Sequence, residues 1–160
     1  MRLSTVSPKV WVLILAVSIS LVALQSCISP KQGTARDEAL RSLRKIDSAV
    51  EVGVNYLTYR GLLIEAKASV NEALRLIKNE KLRIALNNAM GYYEDAGELW
   101  DGDDLDASWN TISPSDTSQW RLVTRNRLVK EKSSFGGEQL RTKSAVQQLW
   151  AKASRQLASL

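Results

Sequence analysis

Six apolar residues, Leu82, Leu86, Ala89, Tyr93, Ala96 and Trp100, follow one another at steps of four and three without a miss. A backbone turning every 3.6 residues brings all six onto one face, so the stretch is an amphipathic helix that must bury that face against other helices. At under three heptads the seam is too short for a long coiled coil. Antiparallel packing on the helix before it, through a turn around Lys78 to Glu80, is the economical arrangement.

That preceding helix starts at Thr34, with Asp37 three residues on and Asp37 and Glu38 placed at the positive end of the helix dipole. No proline interrupts it before Lys78. Apolar residues recur at three and four through Leu40, Leu43, Ile46, Val50, Val54, Leu57, Gly61, Ile64 and Ala68. A second stripe, Tyr56, Leu63, Val70, Leu74 and Ile77, then takes over, so the buried face rotates along the helix. One continuous helix would be about 65 Å long at about 1.5 Å per residue. A bend or break is expected at Gly53 or Gly61, where helix propensity falls by about 1 kcal/mol relative to alanine.

Asp101-Gly102 closes the helix that ends at Trp100, and residues 102–115 read as a loop. Asp116 with Gln119 offers the next start, for a helix over residues 117–132 with Trp120, Val123 and Leu128 on one side. Ser133, Ser134, Gly136 and Gly137 stop it. The last helix is predicted over 138–158, with Val146, Leu149, Trp150, Ala153 and Leu157 facing inward. No segment alternates apolar and polar residues long enough to predict a strand. The expected class is therefore all-α: an irregular four-helix, bundle-like domain over 34–160 with a long, bent first helix. Nothing in the pattern selects an oligomeric state.

Ahead of this body lie Arg2 and Lys9, no acid, and an apolar run from Val10 to Leu24. Basic then apolar is the order of a secretory signal, and the run is shorter than the roughly 20 residues a bilayer span needs. Leu24-Gln25-Ser26-Cys27 follows at once and resembles the lipobox of bacterial lipoproteins. The resemblance implies a signal peptide over 1–26, cleavage between Ser26 and Cys27, diacylglycerol on the Cys27 sulfur, and often a third acyl chain on the new amine. Cys27 is the only cysteine, and lipidation would consume an otherwise odd thiol. An uncleaved anchor helix, or cleavage that leaves Cys27 free, are the competing readings. Residues 27–33 would form a flexible tether. The resemblance also implies, because Ile28 and not aspartate follows the cysteine, delivery to the outer membrane of a two-membrane bacterium, facing the periplasm.

The net charge of +5 falls to +3 once Arg2 and Lys9 are removed, which argues against a nucleic-acid partner. Histidine is absent, and with Cys27 assigned to lipid the usual base, thiolate nucleophile and soft metal ligands are all missing. No cofactor is expected, and an enzyme is disfavoured. The acidic stretch Glu94, Asp95, Glu98, Asp101, Asp103, Asp104 and Asp106 contains the cation candidates Asp101, Asp103, Asp104 and Asp106. It departs from an EF-hand at Leu105, Asp106 and Ile112, so a solvated acidic loop is the plainer reading. Glu94, Glu98 and Asp101 could in principle serve glycan binding or cleavage.

Residues 121–160 reverse the sign, and Arg121, Arg125 and Arg127, with Trp109 in its polar loop, are the candidates for contact with an envelope partner. Alternatively, the basic half neutralises the acidic stretch internally. The stretches from Val52 to Tyr59 and from Tyr92 to Trp100 resemble uncharacterised secreted helical proteins of bacteria, a resemblance that implies no activity. The reading that follows is a lipid-anchored, non-enzymatic interaction or scaffold module of the cell envelope, with cation or glycan binding by residues 94–106 as the alternative.

Overall fold

The computed structural model describes residues 30–100, 105, 110–132 and 137–160. The segment 1–26 expected to be a signal peptide, Cys27, Trp109, Asp101, Asp103, Asp104 and Asp106 lie outside the described residues. Helices take 76% of the described residues, so the chain is all-α with one small sheet. In chain order the elements are α1 (Pro30–Val52), α2 (Tyr56–Leu76), α3 (Glu80–Trp100), β1 (Thr111–Ile112), α4 (Thr117–Arg125), β2 (Glu131–Lys132), β3 (Glu138–Arg141) and α5 (Thr142–Ala158). Residues 31–160 form one compact unit with its own core.

The long first helix is broken at Gly53, one of its two expected weak points. Gly53 takes φ +100, a left-handed conformation that side chains resist, and its N–H still bonds back to the Ala49 carbonyl. Asn55 then caps α2 by accepting from the Thr58 N–H at 2.9 Å. Gly61 stays inside α2. The break folds α1 and α2 into an antiparallel hairpin, shown by the pairs Ser42 with Ser69 and Lys45 with Glu65. Asn79 caps α3 in the same way, accepting from the Leu82 N–H at 3.1 Å.

Helix α1 begins at Pro30, four residues ahead of Thr34, so the tether expected over residues 27–33 is helical from Pro30 onward. Proline is well suited to a first turn, where its missing N–H costs nothing and its φ is already helical. Along α2 the first apolar stripe does not continue inward: Leu57, Gly61, Ile64 and Ala68 are exposed. The break resets the helix phase, and Tyr59, Ala66, Val70 and Ala73 are buried instead. On α3 the six-residue seam lies inward as expected, Leu82 half-buried and the other five buried.

Two further boundaries differ from expectation. Helix α4 stops at Arg125, seven residues early, because the chain closes a Schellman turn. The Arg127 N–H bonds the Thr124 carbonyl, the Leu128 N–H bonds the Val123 carbonyl, and Arg127 holds φ +50. Buried Leu128 and Val123 supply the apolar pair that accompanies such a turn. Residues 138–141, expected to open the last helix, form β3 instead. It pairs antiparallel with β1 (Ile112 opposite Leu140) and with β2 (Lys132 opposite Glu138). Strands of two to four residues are too short to show an alternating pattern, and only Ile112 and Leu140 of the sheet are buried in the core.

Helix α5 lies along α3, with Val146, Leu149, Ala153 and Leu157 buried and Trp150 half-buried. The two helices run antiparallel, and α5 also reaches α1 through Ser154 and Asp47.

Candidate functional site

The interior of the bundle is tied together by a chain of polar groups on four helices. The Tyr59 hydroxyl donates to the Tyr93 carbonyl at 2.7 Å and accepts from Trp150 Nε1 at 3.0 Å. The Tyr93 hydroxyl donates to Asp47 Oδ1 at 2.9 Å, and the Ser154 hydroxyl reaches the same carboxylate oxygen. Burial pushes both phenols well above their ordinary ionisation range; the Trp150 N–H opposes this at Tyr59, and the Asp47 charge adds to it at Tyr93. Around this chain Tyr56, Tyr59, Trp100 and Trp150 pack edge to face and tilted, with centroids 5.4 to 5.9 Å apart. These aromatics fill the core. The Tyr59 and Tyr93 hydroxyls and the Trp150 N–H are all engaged within this chain, so these three residues position α1, α2, α3 and α5 rather than await a ligand.

The outer face holds the groove nearest to a binding site, about 570 Å³ between α2 and α3. Tyr56, Arg60, Leu63, Ile64 and Lys67 line it from α2, and Glu94, Asp95, Gly97 and Glu98 from α3. Gly97 lets the helices approach closely, since a Cβ there would stand 2.8 Å from Leu63 Cδ1. Lys67 pairs with Glu94 at 2.6 Å and the Arg60 guanidinium lies over the Tyr56 ring at 5.7 Å. The groove therefore presents both signs of charge beside an aromatic edge. It can hold a polar or zwitterionic ligand, or receive a partner's side chains.

Glu94 and Glu98 meet in this groove, one helical turn apart, as their spacing requires. Asp95 accepts from Asn126 Nδ2 at 2.7 Å and pairs with Arg125. Asp95 holds the Arg125 guanidinium more firmly protonated than usual. This clamp fastens α4 to α3; Arg125, a candidate for partner contact, is paired within the fold yet stays exposed, as do Arg121 and Arg127. The clamp is one internal neutralisation of the acidic stretch by the basic half. Among the described residues no group of three acidic or other metal-ligating side chains could hold a metal ion. Among them, too, no helix is long and apolar enough to cross a membrane.

Tyr56, Arg60 and Lys67 were not singled out as site residues from the sequence. Arg60 and Lys67 recur at a spacing of seven beside the exposed stripe, a signal readable only once that stripe is known to face outward. Compared with known proteins, the chain matches no family model, no curated protein and no solved structure.

Proposed function

We propose that this protein is a lipid-anchored component of a bacterial cell envelope, held at Cys27, whose helical body serves as a non-enzymatic interaction module. One observation carries the reading: the sole cysteine closes a basic-then-apolar leader in the sequence Leu24-Gln25-Ser26-Cys27 and stands three residues ahead of the first helix. Two or three acyl chains at Cys27 hold a protein stably where one holds it only marginally. The segment from Cys27 to Lys31 reaches at most about 14 Å at roughly 3.5 Å per residue, so the start of α1 stays close to the headgroups. The turn between α2 and α3 lies at that same end and carries Arg75, Lys78, Lys81 and Arg83, which suits an anionic surface.

Mass spectrometry of the protein from membranes tests this. The expected product begins at Cys27 and carries two or three acyl chains, and Cys27→Ser abolishes the mass shift. An intact leader or a bare sulfur overturns it.

A second reading has its own support in the groove between α2 and α3, where Glu94 and Glu98 stand with Tyr56 and Arg60. Such a set suits a glycan fragment, with aromatic and charged contacts on opposite walls. Thermal melts with peptidoglycan fragments or calcium decide between them: a rise of several degrees, lost in Glu98→Gln, favours ligand binding over the interaction module.

A further inference from the structure

Helix α2 has two faces of different character. Tyr59, Ala66 and Ala73, seven residues apart, are fully buried against the body. The opposite face carries Leu57, 79% exposed, and Ile64, 70% exposed, with Gly61 and Ala68 between and after them. In coiled-coil terms Leu57, Ile64 and Asn71 occupy d positions, and Gly61, Ala68 and Arg75 occupy a positions, while the buried set falls at f, the position furthest from the seam. The flanks are charged with opposite signs. Arg60 and Lys67 stand at g, and Glu65 and Glu72 stand at e.

We infer that this face binds a second copy of the same chain, α2 against α2, in parallel about a two-fold axis. In a parallel pair each g residue meets the e residue five positions on in the other helix. Arg60 then faces Glu65 of the second copy, and Lys67 faces Glu72 of the second copy, each pair formed twice by symmetry. An antiparallel pair would set g against g and e against e, basic against basic and acidic against acidic. The charge pattern thus selects both the partner and its direction.

The neighbouring helices support the same seam. Lys45 of α1 holds Glu65 at 2.8 Å on one side and Glu94 of α3 holds Lys67 at 2.6 Å on the other. All four side chains remain at least 38% exposed, so Glu65 and Lys67 can each accept a further partner. Among the described residues nothing beyond Gly61's own turn of helix lies within 4 Å of where a Cβ would stand, and with Ala68 it lets two helix axes approach closely.

A parallel pair also brings both α1 starts to one end. That is the arrangement of two chains anchored in one leaflet, and on this point the inference rests on the lipid-anchor reading. From Leu57 to Asn71 the seam is only about 21 Å long, too little for the roughly 800 Å² per partner of a stable soluble dimer. Confinement to a leaflet raises the effective concentration and compensates.

Disulfide crosslinking of the full chain in membranes tests the pair. With Cys27 acylated, an introduced cysteine is the only free thiol. Leu57→Cys and Ile64→Cys should each crosslink to their own kind far above the α1 control Arg44→Cys, and mixed Leu57→Cys with Asn71→Cys should not. Arg60→Glu with Lys67→Glu should lower the yield about tenfold or more. Co-expression with a chain carrying Glu65→Lys and Glu72→Lys should restore it as a mixed dimer.

Crosslinking of Ile64→Cys no better than the control, crosslinking of position 57 to 71, or failure of the charge-reversed pair to recover overturns the inference. Repeating the experiment in a Cys27→Ser background, with the mass of the parent chain in hand, separates the two ideas. A parent chain without acyl mass whose Cys27→Ser form still pairs supports the dimer and sinks the anchor; an acylated parent chain that does not pair does the reverse.

Discussion

The Tyr93 hydroxyl donates to Asp47 Oδ1 at 2.9 Å, joining α3 to α1 across a core in which the same oxygen also receives Ser154 from α5. Three helices therefore converge on one carboxylate. Removing the donor by Tyr93→Phe leaves the carboxylate served by Ser154 alone and should cost about 1 to 2 kcal/mol. Removing the acceptor by Asp47→Ala strands the Tyr93 hydroxyl and should cost about 2 to 3 kcal/mol. Urea unfolding of both single variants and the double variant should give a coupling of about 1 kcal/mol. Simple additivity would mean that the hydrogen bond contributes nothing.

The two buried tyrosines set an alkaline limit. Tyr59 and Tyr93 ionise well above the ordinary 10.0 in the folded chain, burial being the largest cause for each. A group whose folded pKa is raised contributes stability that is whole below the unfolded value and is lost as pH rises past it. Stability should hold to about pH 9.5 and fall steeply above about pH 10. Absorbance at 295 nm followed with melting temperature should show Tyr59 and Tyr93 ionising only as the chain unfolds, and Tyr59→Phe should soften the fall.

Arg127 holds φ +50 at the position of a Schellman turn that glycine usually fills. Left-handed backbone costs a non-glycine residue about 1 kcal/mol. Arg127→Gly should therefore stabilise the fold by about 0.5 to 1 kcal/mol, offset in part by greater freedom of the unfolded chain. A drop in stability in chemical denaturation would show that the exposed arginine makes a contact that outweighs the backbone strain.

At Gly97 a new Cβ would lie 2.8 Å from Leu63 Cδ1 and 3.4 Å from Tyr59 Cε1. Leu63 is half-buried and its methyl can swing away, so Gly97→Ala should be close to neutral, the small clash cancelling the gain of about 1 kcal/mol in helix propensity. Gly97→Val should cost about 1 to 3 kcal/mol through overpacking against Tyr59. Leu63→Ala in the Gly97→Val background should recover part of it, measurable by thermal unfolding.

How much of this was legible in the chain depends on range. The seam from Leu82 to Trp100 and the turn before Glu80 are written in local periodicity, and a break at one of the two glycines Gly53 and Gly61 in their low helix propensity, the structure choosing Gly53. They were readable because each depends on residues within a few turns of one another. The helix ends at Arg125 and Arg141 were not, since a Schellman turn closed by arginine carries no glycine signal, and β3 exists only because β1 and β2 pair with it.

The sequence by itself determined that the chain is helical, where its strongest helix lies, and that a lone cysteine follows an apolar run. Only the tertiary structure decided which stripe of α2 turns inward. Residues 57, 61, 64 and 68 and residues 59, 66, 70 and 73 are both apolar at helical spacing, and local propensity cannot rank two such faces. The choice came from the break at Gly53, which reset the helix phase, and from Tyr59. Its hydroxyl finds both an acceptor at Tyr93 and a donor at Trp150 only when that face is buried.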